Sequence, residues 1–425
     1  NVLQDLRDGL ILAFDSAETC ARRSGCIALG EMLKMKEGQE IMNSQVAASL
    51  KELIADPEEV VRAAAAKCNA CAPSADIAGS FLDTLCNAET DPAEEDLLGL
   101  QELLRTKASS IIPDLLRRAA TPPVIAGKVA CLSVLANVSA SHMQPVVSQI
   151  FRVLHGFVLH ADSVLRCKAI AAAEAIACQL DESAASEAVS EVLLDFGGAV
   201  EGRDAAAALL GAILTSAKPA ASDSSTIMKA ILPPSVTGSA DCTAALMHMH
   251  KAFELAVLVG EMSDIHLNLQ QCVQGVSADM LAALQPILQH GISAGDDQQK
   301  LDAAASYLVL ITHAAEGVLS SLAMKLAGPL VRAMTANAEP ELVQSLVLAI
   351  DGLLLREGGS LKPLAPAIQT ALLRYLDEKW PESVHSAAAK ALGSLTAHSP
   401  KPDVLIKSLC KPPQKAGHLK ALDVV

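Results

Sequence analysis

The sequence predicts an all-α fold, an α-solenoid of HEAT/armadillo-type helical repeats, and three observations predict it. Leu301-Asp-Ala-Ala-Ala-Ser-Tyr-Leu, Val343-Gln-Ser-Leu-Val-Leu-Ala-Ile and Val384-His-Ser-Ala-Ala-Ala-Lys-Ala-Leu recur about every 42 residues. Helix pairs repeating at roughly 40–47 residues mark HEAT and armadillo arrays. Each segment also follows another apolar helical stretch and a charged or proline-containing turn. Third, hydrophobic residues make up 51% of the chain but aromatics only 2%. Alanine and leucine, both strong helix formers, must therefore build the core. In a repeat array each apolar face is buried only against its neighbours, so 425 residues need no single large core.

Along the chain, Arg22, Arg23, Ile27, Ala28 and Leu29 predict a second-of-pair helix about 40 residues before Arg62. The clearest repeat is Ala55-Asp-Pro-Glu-Glu-Val-Val-Arg-Ala-Ala-Ala-Ala-Lys67. Asp56 is expected to cap its helix and Pro57 to fill the first helical position. Glu58 and Glu59 offset the helix dipole, and Val61, Ala65 and Cys68 share one face. Asp91-Pro92, Thr121-Pro-Pro123, Asp162 and Gly202 to Leu210 mark weaker copies. Roughly nine or ten repeats are expected. Pro, Ser and Gly concentrate from Ser216 to Asp241, including Pro233-Pro234 and Val236-Thr-Gly-Ser. That density marks an irregular connection, either a spacer or an insertion on a binding face, with a short helix around Thr226 to Leu232. The organisation predicted is a HEAT-like array over 1–215, an interruption over 216–241 and a second array over 242–425. Gly197-Gly198 and Gly358-Gly359 read as left-handed helix stops.

Charge narrows the partners. The net charge is −15. Lys300 to Val425 holds 13 Lys or Arg against 11 Asp or Glu, so the first 299 residues carry −17. Such an array disfavours direct nucleic-acid binding, where phosphate neutralisation dominates affinity. It also disfavours an acidic membrane and acidic tubulin. The uncharged run Val129 to Phe151 contains Ser133, Asn137, His142, Gln144 and Pro145 and reads as two repeat helices joined by a turn. The chain opens at Asn1 without Met, as if cut from a longer protein. Eleven cysteines without framework spacing suggest reduced thiols and a cytoplasmic or nuclear setting.

No constellation predicts catalysis, a metal or a cofactor. Cys68-Asn-Ala-Cys71 lacks the second ligand pair of a zinc site and reads as packing. His248 and His250, near Cys242, sit two apart on a helix and point to different sides. No phosphate-binding glycine loop is present. The one functional candidate is basic. Lys325 and Arg332 sit seven apart in one helix, and Arg356, Lys362, Arg374 and Lys379 extend a stripe from the next repeat. Arginine in such places pairs with carboxylates across protein interfaces.

Ala327-Gly-Pro-Leu-Val-Arg332, Leu361-Lys-Pro-Leu-Ala-Pro-Ala-Ile-Gln-Thr370 and Ala388-Ala-Lys-Ala-Leu-Gly-Ser-Leu395 resemble the C-terminal HEAT region of the general-control translational activator family. Lys107 to Pro123, with Ile112-Pro-Asp-Leu-Leu, is similar to an upstream stretch of that region. The resemblance covers about a third of the chain and fades over Asp181 to Asp279. It implies a non-enzymatic cytoplasmic scaffold of the amino-acid starvation response. Its partner would be the RWD domain of the initiation-factor-two-alpha kinase, with ribosomes held through other parts of the full protein. It implies Arg332 as the kinase-binding arginine, with Lys325, Arg356 and Lys362 around it. A generic HEAT adaptor, of the phosphatase-scaffold or transport-receptor type, satisfies the same periodicity.

Overall fold

The computed structural model describes residues 2–35, 37–72, 77–197, 200–232, 240–270, 276–315, 317–335, 338–398, 406–407, 409–410 and 416–424. They form two compact units, Asn1–Ala220 and Ala221–Val425. Among the described residues there is no β-strand, only an isolated bridge between Val276 and Ala314. Each unit is a stack of helix pairs, the all-α solenoid architecture that the 42-residue spacing predicts.

In the first unit α1 (Val2–Phe14) pairs with α2 (Thr19–Leu33), and α3 (Ser44–Ile54) with α4 (Glu59–Ala70). Next, α5 (Ile77–Cys86) packs on α6 (Glu94–Ala119), which leaves helical geometry once, at Lys107 (φ −146°, ψ 44°). The first half of α6 closes one pair, and its second half opens another with α7 (Ala126–Ser133). After the single turn α8 (Ala140–Met143) come the pairs α9 (Val147–Val158) with α10 (Ser163–Ala177) and α11 (Glu182–Leu193) with α12 (Val200–Ser216).

The α9–α10 pair shows how composition builds the stack. Val147, Ile150, Phe151, Leu154, Phe157 and Val158 form the buried face of α9 at helical spacing. The buried face of α10 is nearly all alanine: Ala169, Ala172, Ala173 and Ala177 around Ile176. One helix supplies bulk and the other lets it approach. Each fully buried large side chain of α9 contributes about 1.5–3 kcal/mol. Asp162 caps α10, accepting from Val164 N at 2.8 Å. Asp56, expected to cap α4, does not hold the N-cap position, but its carboxylate accepts from Glu58 N at 2.9 Å beside the helix start. The N-cap there is Glu58, without a side-chain bond. Asp56 also takes a two-pronged pair from Arg22 of the preceding repeat, at 2.7 and 3.1 Å. Arg62 donates to the Asp56 and Pro57 carbonyls at 2.7 and 2.8 Å, which fixes the same turn from the other side.

In the second unit α13 (Asp223–Ile231) lies within the stretch read as an interruption. Pro233, Pro234 and 236–239 are outside the described residues, as is Gly198. Then follow α14 (Ala240–Ala252), α15 (Leu255–Gly260) and α16 (Met262–Gln270). The regular pairs are α17 (Ala278–Ala294) with α18 (Asp297–His313), α19 (Ala323–Ala333) with α20 (Pro340–Glu357), and α21 (Ala365–Arg374) with α22 (Glu382–Thr396). The last helix, α23 (Ala416–Val424), packs on α22. Second helices α16, α18, α20, α22 and α23 stack in succession, beside the first helices α17, α19 and α21.

Polar ties between neighbours keep the repeat period. Ser263 donates to Asp302 at 2.6 Å, 39 residues on, and Ser394 donates to Asp351 at 2.6 Å, 43 residues back. In the first unit Arg152 pairs with Glu191 at 2.7 Å, again 39 residues away. Equivalent positions on successive helices therefore face one another. Asp302 and Asp351 are buried, so these bonds also remove the desolvation cost of an unpartnered carboxylate. The glycines at 358 and 359 do not stop α20 in the left-handed region. Gly358 has φ −54°, and among the described residues only Gly317 has a positive φ. What Gly358 supplies is closeness, since a Cβ there would lie 2.1 Å from the His398 ring.

Candidate partner-binding surface

Paired helices joined by short connections run antiparallel, so the second unit has two edges. One collects the ends of second helices and the starts of first helices; the other collects the reverse. Lys325 is exposed in the first turn of α19, Arg356 stands in the last turn of α20, and exposed Lys362 follows in a 3₁₀ turn (Lys362–Leu364). These three share the first edge. Arg332 stands in the last turn of α19, on the opposite edge, about 10 Å along the helix from Lys325. The basic stripe read from sequence is thus divided between two edges.

On the first edge the guanidinium of Arg356 is already engaged. It donates to the carbonyls of Ile311, Thr312 (3.3 Å) and Ala314 (2.6 Å), at the end of α18. These are the orphan acceptors of a helix C-terminus, where a cation is also favoured by the dipole. On the second edge, Arg374 in the last turn of α21 does the same to α19, donating to Met334 O at 3.0 Å. Its neighbour Tyr375 donates to Thr335 O at 3.0 Å and meets Trp380 edge-on at 5.0 Å. Burial pushes the Tyr375 hydroxyl up to about 12, against the opposing charge of Arg374. Lys379 lies over the Trp380 ring at 5.1 Å.

Arg332 occupies in α19 the place of Arg374 in α21, yet it makes no such latch. It is exposed and forms no ion pair with any described carboxylate. Arg332 lines a groove of about 850 Å³ between the α17–α18 and α19–α20 turns. Asp297, Lys300, Glu339 and Glu341 line the same groove. Tyr307 of α18 is fully buried nearby, its hydroxyl without a described partner. Burial raises its pKa, and the charge of Arg332 opposes that shift. Sequence reading found Arg332 but missed the groove, because its walls come from turns some 40 residues apart. The signal available was the equal spacing of Asp296-Asp297 and Glu339-Pro340-Glu341 before successive second helices.

The remaining sequence candidates lie elsewhere. Cys68 is buried in α4 and Cys71 follows its end. Burial pushes the Cys26 and Cys68 thiols up to about 12, so neither is a thiolate near neutral pH. His250 shares a hydrogen bond with the Ala283 carbonyl at 2.7 Å, across to α17. Among the described residues no three His, Cys, Asp or Glu side chains come together as a metal site. No described helix is long and apolar enough to cross a membrane.

No family model matches the chain. It is 24% identical over 424 residues to the mouse protein named Stalled ribosome sensor GCN1, covering 93% of this chain and 16% of that protein. It is 24% identical over 333 residues to Protein ILITYHIA of Arabidopsis thaliana, covering 73% of this chain and 12% of that one. To the Saccharomyces cerevisiae eIF-2-alpha kinase activator GCN1 it is 25% identical over 124 residues, 29% of this chain and 5% of the other. The chain thus spans less than a fifth of the length of these relatives. Among solved structures, Kap121p bound to Ste12p gives a TM-score of 0.37 at 12% identity, over 96% of this chain and 47% of that one. Importin beta gives 0.32 at 13% identity, over 99% and 62%. At such scores the likeness carries no argument. By sequence, the chain is similar to one segment of proteins named stalled ribosome sensor GCN1 and eIF-2-alpha kinase activator GCN1.

Proposed function

We propose that this chain is a scaffold segment of a cytoplasmic translational-control protein. It binds the RWD domain of the initiation-factor-two-alpha kinase and couples that kinase to ribosomes during amino-acid starvation. The match to the mouse stalled ribosome sensor along 93% of the chain carries this reading. The yeast relative, named for activating the eIF-2-alpha kinase, supports it. Ribosome contacts belong to other parts of the full-length protein. The segment contributes no chemistry: a stack of packed pairs holds the kinase in place, and activation follows from raised effective concentration.

Arg332 is the contact offered first. It is exposed and makes no described hydrogen bond, while the equivalent arginine one repeat later, also exposed, donates to Met334 O. Lys325 and Lys362, exposed on the other edge, are secondary contacts. Arg356 is spoken for by carbonyls. The test is capture of the isolated RWD domain by the immobilised chain. Arg332→Glu should lower capture about tenfold or more with helical content unchanged. Equal capture by Arg332→Glu would remove Arg332 from the contact surface. No capture by the unaltered chain would overturn the kinase reading.

A further inference from the structure

We infer that the groove beside Arg332 holds an extended segment of a partner protein that carries an acidic, an apolar and a basic side chain in alternation. The inference rests on the scaffold reading above and specifies what the groove takes.

The groove has three chemical parts. Its floor is apolar: Ile292 and Leu342 are buried, and Leu301 is half-buried between them in sequence. Arg332 provides a cation that no described carboxylate neutralises, although three carboxylates line the same groove. Glu339 and Glu341, both exposed, provide an anionic pole in the first turn of α20. An isolated anion suits this groove badly, because the carboxylates outnumber the cations. A lone cation fits no better, because Arg332 would repel it. A ligand that presents one charge of each sign to separate poles satisfies both.

Its rim favours a main chain. Gln289, whose oxygen accepts from Gln285 at 2.7 Å, keeps its amide N–H groups to donate; Gln298, which donates to Asp302 at 3.0 Å, keeps its oxygen to accept; and Thr335 adds a hydroxyl. Those groups match the alternating N–H and C=O of an extended backbone. In an extended segment residues i, i+2 and i+4 point the same way, spaced about 3.3 Å per residue. The inferred segment therefore places an acid at Arg332, an apolar anchor on the floor and a base at the Glu339–Glu341 pole on residues i, i+2 and i+4. The groove volume of about 850 Å³ falls within the range of pockets that enclose a ligand. The repeat one step along supplies the contrast: there Arg374 and Tyr375 bond the previous turn themselves.

The experiment uses the full chain and fluorescein-labelled peptides built on Glu-Ser-Leu-Ser-Lys, its reverse, and the neutral Gln-Ser-Leu-Ser-Gln, read by anisotropy. One charged peptide should bind at least about tenfold more tightly than the neutral one. Arg332→Glu should abolish that preference, and the double variant Arg332→Glu with Glu339→Lys should prefer the charge-reversed peptide. Arg23→Glu, exposed in the first unit, should change nothing. Equal binding of the neutral peptide, or a preference that survives Arg332→Glu, would overturn the inference. The RWD domain separates the two claims. Charged peptides that bind while the domain does not would sink the kinase reading and support the groove. A domain captured equally by Arg332→Glu, with no peptide preference, would sink the groove and leave the kinase reading standing.

Discussion

Two junctions of the second unit hold an arginine at the same place and use it differently. Arg374, in the last turn of α21, reaches the turn after α19 and bonds Met334 O at 3.0 Å, with Tyr375 bonding Thr335 O beside it. Arg332, in the last turn of α19, makes no corresponding bond to the turn after α17. The difference lies in the turns. Between α17 and α18 the chain passes in two residues, Gly295 and Asp296, and Gly295 N–H bonds back to Gly291 O. Between α19 and α20 the sequence separation is longer, residues 334–339, and the Met334 and Thr335 carbonyls at its start accept the bonds from Arg374 and Tyr375. A tight turn offers Arg332 nothing to hold, and a groove stays open. Exposure alone does not make a basic residue available; the neighbouring turn decides.

The comparison predicts a graded series, and its largest member is Arg356. With three carbonyls of the α18 end in its grasp, Arg356→Met should lower stability by about 2–3 kcal/mol, since hydrogen bonds from a charged group are the costly ones to lose. A fall in the urea midpoint at constant slope would report it. A loss below about 0.5 kcal/mol would mean that the latch holds nothing.

Gly358 tests the same edge sterically. Gly358→Ala should cost about 1–3 kcal/mol, because its Cβ must displace the His398 ring. Gly359→Ala meets nothing within 4 Å and should be neutral or stabilising. Left-handed stops would make both substitutions costly, so the pair also separates close packing from backbone strain.

The closed junction itself comes next. Arg374→Ala and Tyr375→Phe should each cost about 1 kcal/mol. Trp380, the one tryptophan, sits against Tyr375 and reports this junction by fluorescence. Tyr375 also sets an alkaline limit. Its folded pKa is about 12 against an ordinary value of 10, so the neutral hydroxyl is favoured in the fold. The resulting stability is fully present below pH 10 and drains as pH rises from 10 to 12. Tyr375→Phe should therefore fall below the parent at neutral pH, draw level with it near pH 11 and exceed it above that. A constant gap across that range would show that the hydroxyl titrates normally.

Much of the architecture was legible because one period governs it. The alanine faces of α10 and α22 and the proline-containing starts point to stacked pairs without any knowledge of distant contacts. What escaped depends on distances between turns. Asp56 bonds the Glu58 N–H at the helix start as its chemistry suggests, but the pair its carboxylate also makes with Arg22, 34 residues earlier, shows only in the fold. Gly358 carries the composition of a helix stop, though what it answers to is His398. Lys325, Arg332, Arg356 and Lys362 are alike as letters. Only the placement of α18, α19 and α20 divides them into a latch, a groove residue and two exposed lysines on the other edge.

The smallest effect expected on stability belongs to Arg332, and it decides the most. Arg332→Ala removes no described ion pair or hydrogen bond, so the urea midpoint should move by no more than about 0.5 kcal/mol in either direction. A loss as large as that of Arg374→Ala would mean that Arg332 latches its neighbour after all and that the two junctions are equivalent. The groove would then close in solution, and binding there would have to displace a structural contact. A flat stability profile together with a lost peptide preference assigns the residue to recognition, because nothing in the fold depends on it.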